Sequence, residues 1–549
     1  MDTPSDFSAF SATPPVPRKK FSGNFWLINT IEMGERLAYM NLRVVAPIYI
    51  SQVTENRGGL HLTQGDKGTI YAWWAVVASL LPVFTGGLAD RVGFKRTLKY
   101  AVPTIMLGYV MLATMRDLGW ANALAALTLP DAGDAAALAL QANQLANYWL
   151  FFAAITVLAA GTAFFKPGLQ GALAKLLTKE NSSLGWGVFY WVVNVGAFVG
   201  HFIPGVLLVG GCFGAAPNSA EAWRNVFLAS AVFTGLNLVV LSKFKDVPSG
   251  ASQAEPWLSV LRRTGANIFE PRLLCYLGLM SGFWLMMYQL WDLQPNVIAD
   301  WLDSSTQAAW VQAHAPLLLA ESLVQQTTRG PMILQNVLLS FNSICIIFGV
   351  VLVSWWLSRM RTLSAMLIGM GAVTVGIVVA GATMNLWGLL LGILCFSIGE
   401  MTIGPKTTEY LALIAPAEKK GLYLGYANIP AGVGTLIGSL MAGHVYGRYG
   451  EKAVLALRYL AEKTDFAAGK AWDGQTASLE SALGVKREDA MQVLQERLHL
   501  GSQEATQLLW DTYSPQWHVW LPFAAIGVVS ALGLYVFSRR ARRWADMDA

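Results

Sequence analysis

Charge is scarce in this chain. Asp, Glu, Lys and Arg make up 13% of its 549 residues, against 54% hydrophobic residues and a mean hydropathy of +0.44. A soluble domain of this length needs more charge to cover its surface, so the composition excludes an ordinary soluble protein. Cysteine is scarce too. Cys212, Cys275, Cys345 and Cys395 are scattered without metal-ligand spacing, which argues against both a zinc site and a disulfide framework. His61, His201, His314, His444, His499 and His518 are isolated, with His201 the one to watch. Neither a nucleophile elbow nor a phosphate-binding glycine loop is present, so no catalytic residue, metal or cofactor is expected. A membrane enzyme or receptor is therefore the remote reading.

What the chain does have is long apolar runs. About twelve are long enough to cross a bilayer, near 24–52, 67–88, 98–114, 147–174, 185–210, 224–242, 272–299, 333–357, 363–383, 386–413, 420–446 and 516–537. The net charge of +5 could suit a nucleic acid, but its placement says otherwise. Lys and Arg collect in the two tails and in alternate connections, as in Arg91, Lys95, Arg96 and Lys99, while the opposite connections hold few, Lys67 and Arg329 among them. By the positive-inside rule both termini are cytoplasmic. The expected class is an all-α multi-pass protein of the cell (inner) membrane, with the lipid bilayer and no nucleic acid as partner.

The runs divide into a disordered cytoplasmic tail (1–22), an N-terminal six-helix bundle (23–243), a cytoplasmic linker (244–271), a C-terminal six-helix bundle (272–538) and a basic cytoplasmic tail (539–549). A short surface helix is expected around "AEPWLSVLRRT" in the linker. The first run lacks a small-residue cleavage site and carries charges, which speaks against a signal peptide. Outer connections at 115–146, 300–332 and 447–515 are long. The last is amphipathic; "LGVKREDAMQVLQERL" and its weak echo "LGSQEATQLLWDTY" suggest a small helical hairpin outside the membrane. It reads as a cap or decoration, with an extracytoplasmic partner at 447–515 as the other reading.

Charge inside the spans is the functional signal. In the first run Glu32, Arg36, Tyr39 and Arg43 fall on one helical stripe, with Glu35 beside it. Each central charge costs on the order of 3 kcal/mol to insert, so the stripe must face partners or water within the bundle. Lys166 in the fourth run matches the depth of Glu32 and Glu35, and Asp292 in the seventh matches Arg43, which suggests an outer-mouth pair. Glu400, Lys406 and Glu409 lie in the tenth. Acids and bases nearly balance over four helices, as expected of a central polar pathway. Lys166-Pro167-Gly168 and Gly404-Pro405 are expected to interrupt their helices where they line it.

"GGLADRVGFKRT" (Gly86 to Thr97, with Asp90, Arg91 and Gly93) resembles the cytoplasmic signature loop of the major facilitator superfamily, whose fold has twelve transmembrane helices in two six-helix bundles. Four further stretches resemble motifs of its proton-dependent oligopeptide transporter (POT/PTR) family. They are "EMGER" with Tyr39, "GTAFFKPG", "FYWVVNVGAFVG" and "GEMTIGPKTTEYLALIAP". The resemblance implies proton-driven symport of di- or tripeptides or similar zwitterions by alternating access. Glu32, Glu35, Arg36 and Lys166 would couple the proton, Arg43 would meet a substrate carboxylate and Glu400 a substrate amine. Tyr39, Asn194 and Asn342 would add hydrogen bonds, Trp284 and Trp291 would form side-chain walls, and Arg43 with Asp292 would form the gate. The chain departs from the pattern at Met40, Gly168, Gly404 and Lys406, and the linker has no room for two additional helices. A related symporter for nitrate, an organic acid or a modified amino acid is the alternative.

Overall fold

The structure is a computed structural model describing residues 20–56, 58–115, 135–178, 181–209, 211–248, 268–357, 359–415, 423, 425–465 and 472–541. The linker helix expected around 254–264 lies outside these residues, as do the two ends of the chain. Among the described residues, nine helices are long and apolar enough to cross a membrane. Gly23–Arg43, Phe94–Thr114 and Asn428–Tyr449 complete twelve spanning segments; the first of these carries the four charges of the stripe. Phe348, Val351 and Leu352 are among the large apolar side chains left on the outside, as a lipid-facing surface requires.

Local chemistry sets the helix ends. Ser22 accepts from the Phe25 N–H to start the first helix. Thr63 and Asp66 form a reciprocal capping box that starts the second at Gln64. Gly93 (φ +94°) makes the turn between the second and third spans in a conformation other residues avoid. Beyond the turn, Asp246 from the end of the sixth span accepts from the Lys95 N–H, so the signature loop is tied to its own bundle.

The helix interruptions differ from the sequence expectation. Both proline sites expected to break helices lie within continuous ones, Ala135–Leu176 through Pro167 and Leu386–Ile414 through Pro405. A mid-helix proline removes one backbone hydrogen bond and bends the helix, and neighbouring turns carry it across. The real breaks lie elsewhere. The first span ends at Arg43 and resumes as Ala46–Ser51, because Pro47 has no N–H to give the Arg43 carbonyl. The seventh, expected to run unbroken over 272–299, divides into Pro271–Met287, Gln289–Asp292 and Gln294–Trp301. Pro295 likewise offers nothing to the Trp291 carbonyl, and Leu293 departs to φ −109°. The second span contains a π-turn at Val76–Leu80. The last helix runs to Ala541, so Arg539 and Arg540 belong to it and not to a tail.

The connections carry structure of their own. Between the seventh and eighth spans lie helices Ser305–His314 and Leu317–Leu323 and a hairpin of β1 (Val324–Thr327) and β2 (Gly330–Ile333). Among the described residues of 447–515 are four helices, Lys452–Lys463, Thr476–Leu483, Ala490–Leu498 and Ser502–Tyr513. Both connections lie at one end, the one that the charge asymmetry of the sequence predicts to be outer.

Candidate functional site

Four helices build a polar cluster near the outer end. Arg43, the last residue of the first helix, donates to Asp292 Oδ1 on the broken seventh, and Asp292 Oδ2 accepts from Ser439 on the eleventh. The Arg43 guanidinium sits 4.2 Å from the Tyr71 ring centroid and 5.2 Å from that of Trp74, both on the second span. Lys67, one turn into that span, is 1% exposed. It donates to the Asp292 carbonyl (3.2 Å) and to Asn296 Oδ1 (2.8 Å). Asn296 in turn donates to Ser51 Oγ at 3.2 Å. Arg43 and Asp292 were legible from their common depth. Lys67 was not: it reads as a charge in an outer connection, whereas Tyr71 and Trp74 at i+4 and i+7 mark it as part of a buried helical face.

A second cluster lies two turns inward. Arg36 bonds Glu35 at 2.6 Å and Glu32 at 3.4 Å, and its guanidinium lies 4.6 Å from the Tyr39 ring centroid. Half-buried Lys166 stands within electrostatic reach of Glu32, Glu35 and Arg36. Glu32 Oε2 is buried and has no hydrogen-bond partner among the described residues. Such an atom carries a cost unless a proton or another donor reaches it.

In the C-terminal half Asn342 donates to Glu400 Oε2 (2.9 Å) and to Ser397 Oγ (3.0 Å). Tyr288, at the break in the seventh span, lies within electrostatic reach of Tyr39, Arg43, Asp292 and Glu400, and Tyr190 within reach of Glu400. Neither tyrosine stood out in the sequence; a ring at a helix break is its position signal for Tyr288. The Trp284 and Tyr288 rings lie tilted 5.4 Å apart between centroids, and the buried Trp284 Nε1 has no partner among the described residues.

Other expected residues are placed differently. Asn194 turns its amide back to the Tyr190 carbonyl (2.9 Å). Trp291 packs 5.9 Å from the His201 ring, whose Nδ1 is bonded within its own helix to the Ala197 carbonyl. His201 is thus a packing residue, while its carbonyl accepts from Asn336 across the two halves (2.7 Å). Lys406, the extra cation, is paired with Glu409 at 2.8 Å, so it is committed locally. Gly86, Asp90, Arg91 and Gly93 stay at the opposite end, where Asp90 feels Lys175.

Comparison with known proteins agrees with this architecture. Residues 33–297 match the Major Facilitator Superfamily profile. The uncharacterized transporter YclF of Bacillus subtilis strain 168 is 30% identical over 202 residues, 35% of this chain and 34% of that protein, so the match spans about a third of the relative. A di-/tripeptide transporter of Lactococcus lactis subsp. cremoris is 23% identical over 180 residues, 32% of this chain and 30% of its own. The crystal structure of the peptide transporter POT in complex with alafosfalin superposes with a TM-score of 0.59 at 15% identity, covering 97% of this chain and 98% of that one. The chain is thus similar to Major Facilitator Superfamily proteins over residues 33–297, and its helices adopt the fold of the peptide transporter POT along nearly its whole length.

Proposed function

We propose that this protein is a proton-coupled symporter that imports di- and tripeptides or similar zwitterionic solutes by alternating access. It would act in the cell (inner) membrane with both termini cytoplasmic, driven by the proton gradient and without a cofactor. The observation that carries this reading is the division of charge. The N-terminal half presents Arg36, Lys166 and the acids Glu32 and Glu35, and the C-terminal half presents Glu400 held by Asn342. A zwitterion needs an anion for its amine and a cation for its carboxylate at opposite ends of one pocket. Glu400 suits the first; Arg43, once released from Asp292, suits the second.

Coupling follows from the Glu32–Glu35–Arg36–Lys166 group. Protonation of Glu32 removes one of the two acids facing Arg36 and leaves Lys166 with less to balance it. The pairing of these side chains then depends on the proton, and the packing of the fourth span against the first depends on the pairing. Arg43–Asp292 and Lys67–Asn296 close the outer side, and their release would admit substrate.

The test is uptake of labelled dipeptide into proteoliposomes under an inward proton gradient. Stimulation by the gradient, collapsed by a protonophore, is expected. No stimulation across a panel of di- and tripeptides ends the peptide reading.

A further inference from the structure

We propose that the helices Thr476–Leu483, Ala490–Leu498 and Ser502–Tyr513 form a third element of the outer gate, positioned by Arg487, which must release the N-terminal half each time the outer side opens. The inference rests on alternating access. It concerns a segment to which that mechanism assigns no part.

Arg487 lies in the turn before Ala490–Leu498 and is 7% exposed. One arm of its guanidinium bonds Glu451 Oε1 at 2.9 Å, just beyond the eleventh span. The other donates to the His61 carbonyl at 2.7 Å, in the connection between the first and second spans. A single side chain thus bridges the two halves. The next residue adds a second bridge, since Glu488 pairs with His61 Nδ1 at 2.9 Å.

Both anchors are built for load. His61 is held in the left-handed region (φ 55°), and its Nε2 lies 2.6 Å from the Asn56 carbonyl. Its neighbours Leu60 and Leu62 donate to the Tyr49 and Ile50 carbonyls, so His61 moves with the extension of the first span. On the other side, Gln503 donates to Asp303 at 3.0 Å, fastening the segment to the C-terminal half beyond the seventh span. The segment therefore belongs to the C-terminal half and grips the N-terminal one. If the halves part at the outer end, the contacts that break are Arg487–His61 and Glu488–His61, while Arg487–Glu451 travels intact.

The test uses the full-length protein in proteoliposomes, its native cysteines replaced and spin labels placed at the exposed positions Ala220→Cys and Thr306→Cys, one in each half at the outer end. Arg487→Ala is expected to raise the long-distance, outer-open population about five-fold, with Arg487→Lys and Glu488→Gln between it and wild type. If the folded Arg487→Lys and Glu488→Gln proteins give the wild-type distance distribution, with any change confined to thermal stability, the segment is a static cap and the proposal fails. In a separate arm, an oxidised His61→Cys/Glu488→Cys pair should stop counterflow, and reductant should restore it; unchanged counterflow when crosslinked also overturns the proposal. The distance measurement needs no substrate. A wild-type protein that transports nothing offered would therefore count against the transport reading without deciding the role of this segment.

Discussion

At the residue scale, Glu451 shows how burial and pairing oppose one another. It lies beyond the membrane-spanning helix, and burial, opposed by Arg487, pushes its carboxyl from the ordinary 4.5 up to about 7. The folded protein therefore holds a proton that the unfolded chain has already lost between these values. The stability contributed by this group is complete below 4.5 and disappears as pH rises through 7. Glu451→Gln has no such dependence, so its thermal midpoint relative to wild type should climb between pH 5 and 7.5 and level off above. A parallel pH profile for the two proteins would contradict this. Deeper in the molecule, Glu32→Gln and Lys166→Ala should each lower proton-driven accumulation by about 5- to 150-fold, the range of a coupling free energy of about 1–3 kcal/mol. Counterflow, which needs no net proton movement, should persist. Normal accumulation by Glu32→Gln would remove it from the coupling group.

At the element scale, the breaks in the first and seventh spans place the Arg43–Asp292 pair. Each ends a helix where a charged side chain is needed: Arg43 at a C-terminus and Asp292 at the end of a four-residue turn. Removing one partner of a buried ion pair costs about 3–5 kcal/mol, because the other is left uncompensated. Arg43→Asp or Asp292→Arg alone should therefore abolish uptake, and the double exchange should recover part of it; no recovery with folded protein would argue against the pair as a gate. Beside it the second and eleventh helices touch through Gly68, where an added Cβ would lie 2.6 Å from the Ser439 carbonyl oxygen. Gly68→Val should cost about 1–3 kcal/mol of packing in the closed seam. Labels at the outer ends of the two halves should then report a more open distribution, and an unchanged one would show that the seam absorbs the side chain.

At the scale of the whole molecule, polar contacts between the halves gather toward the end that carries the 447–515 helices: Arg43–Asp292, Lys67–Asn296, His201–Asn336, Arg487–His61 and the Thr328 hydroxyl donating to Glu55. The conformation described is thus one closed at that end. Several of these contacts are short polar locks rather than broad apolar surfaces, which suits an interface that must open and reclose. The Glu32 group stands two turns along the first helix from this seal, where the proposed function places proton coupling.

The sequence by itself determined the membrane class, the twelve spans and the charged stripe of the first helix. Hydrophobic length and intramembrane charge are local quantities, since lipid favours the first and penalises the second directly. It also placed Arg43 opposite Asp292, because depth can be counted along a helix at a fixed rise. Tertiary structure decided the rest. Lys67 became a buried donor to Asn296 and the Asp292 carbonyl, Lys406 was committed to Glu409, Pro167 and Pro405 left their helices whole, and Arg487 reached a carbonyl in the other half. Those outcomes depend on which neighbour lies across a helix interface, and residues hundreds of positions apart carry no mark of meeting until the chain has packed.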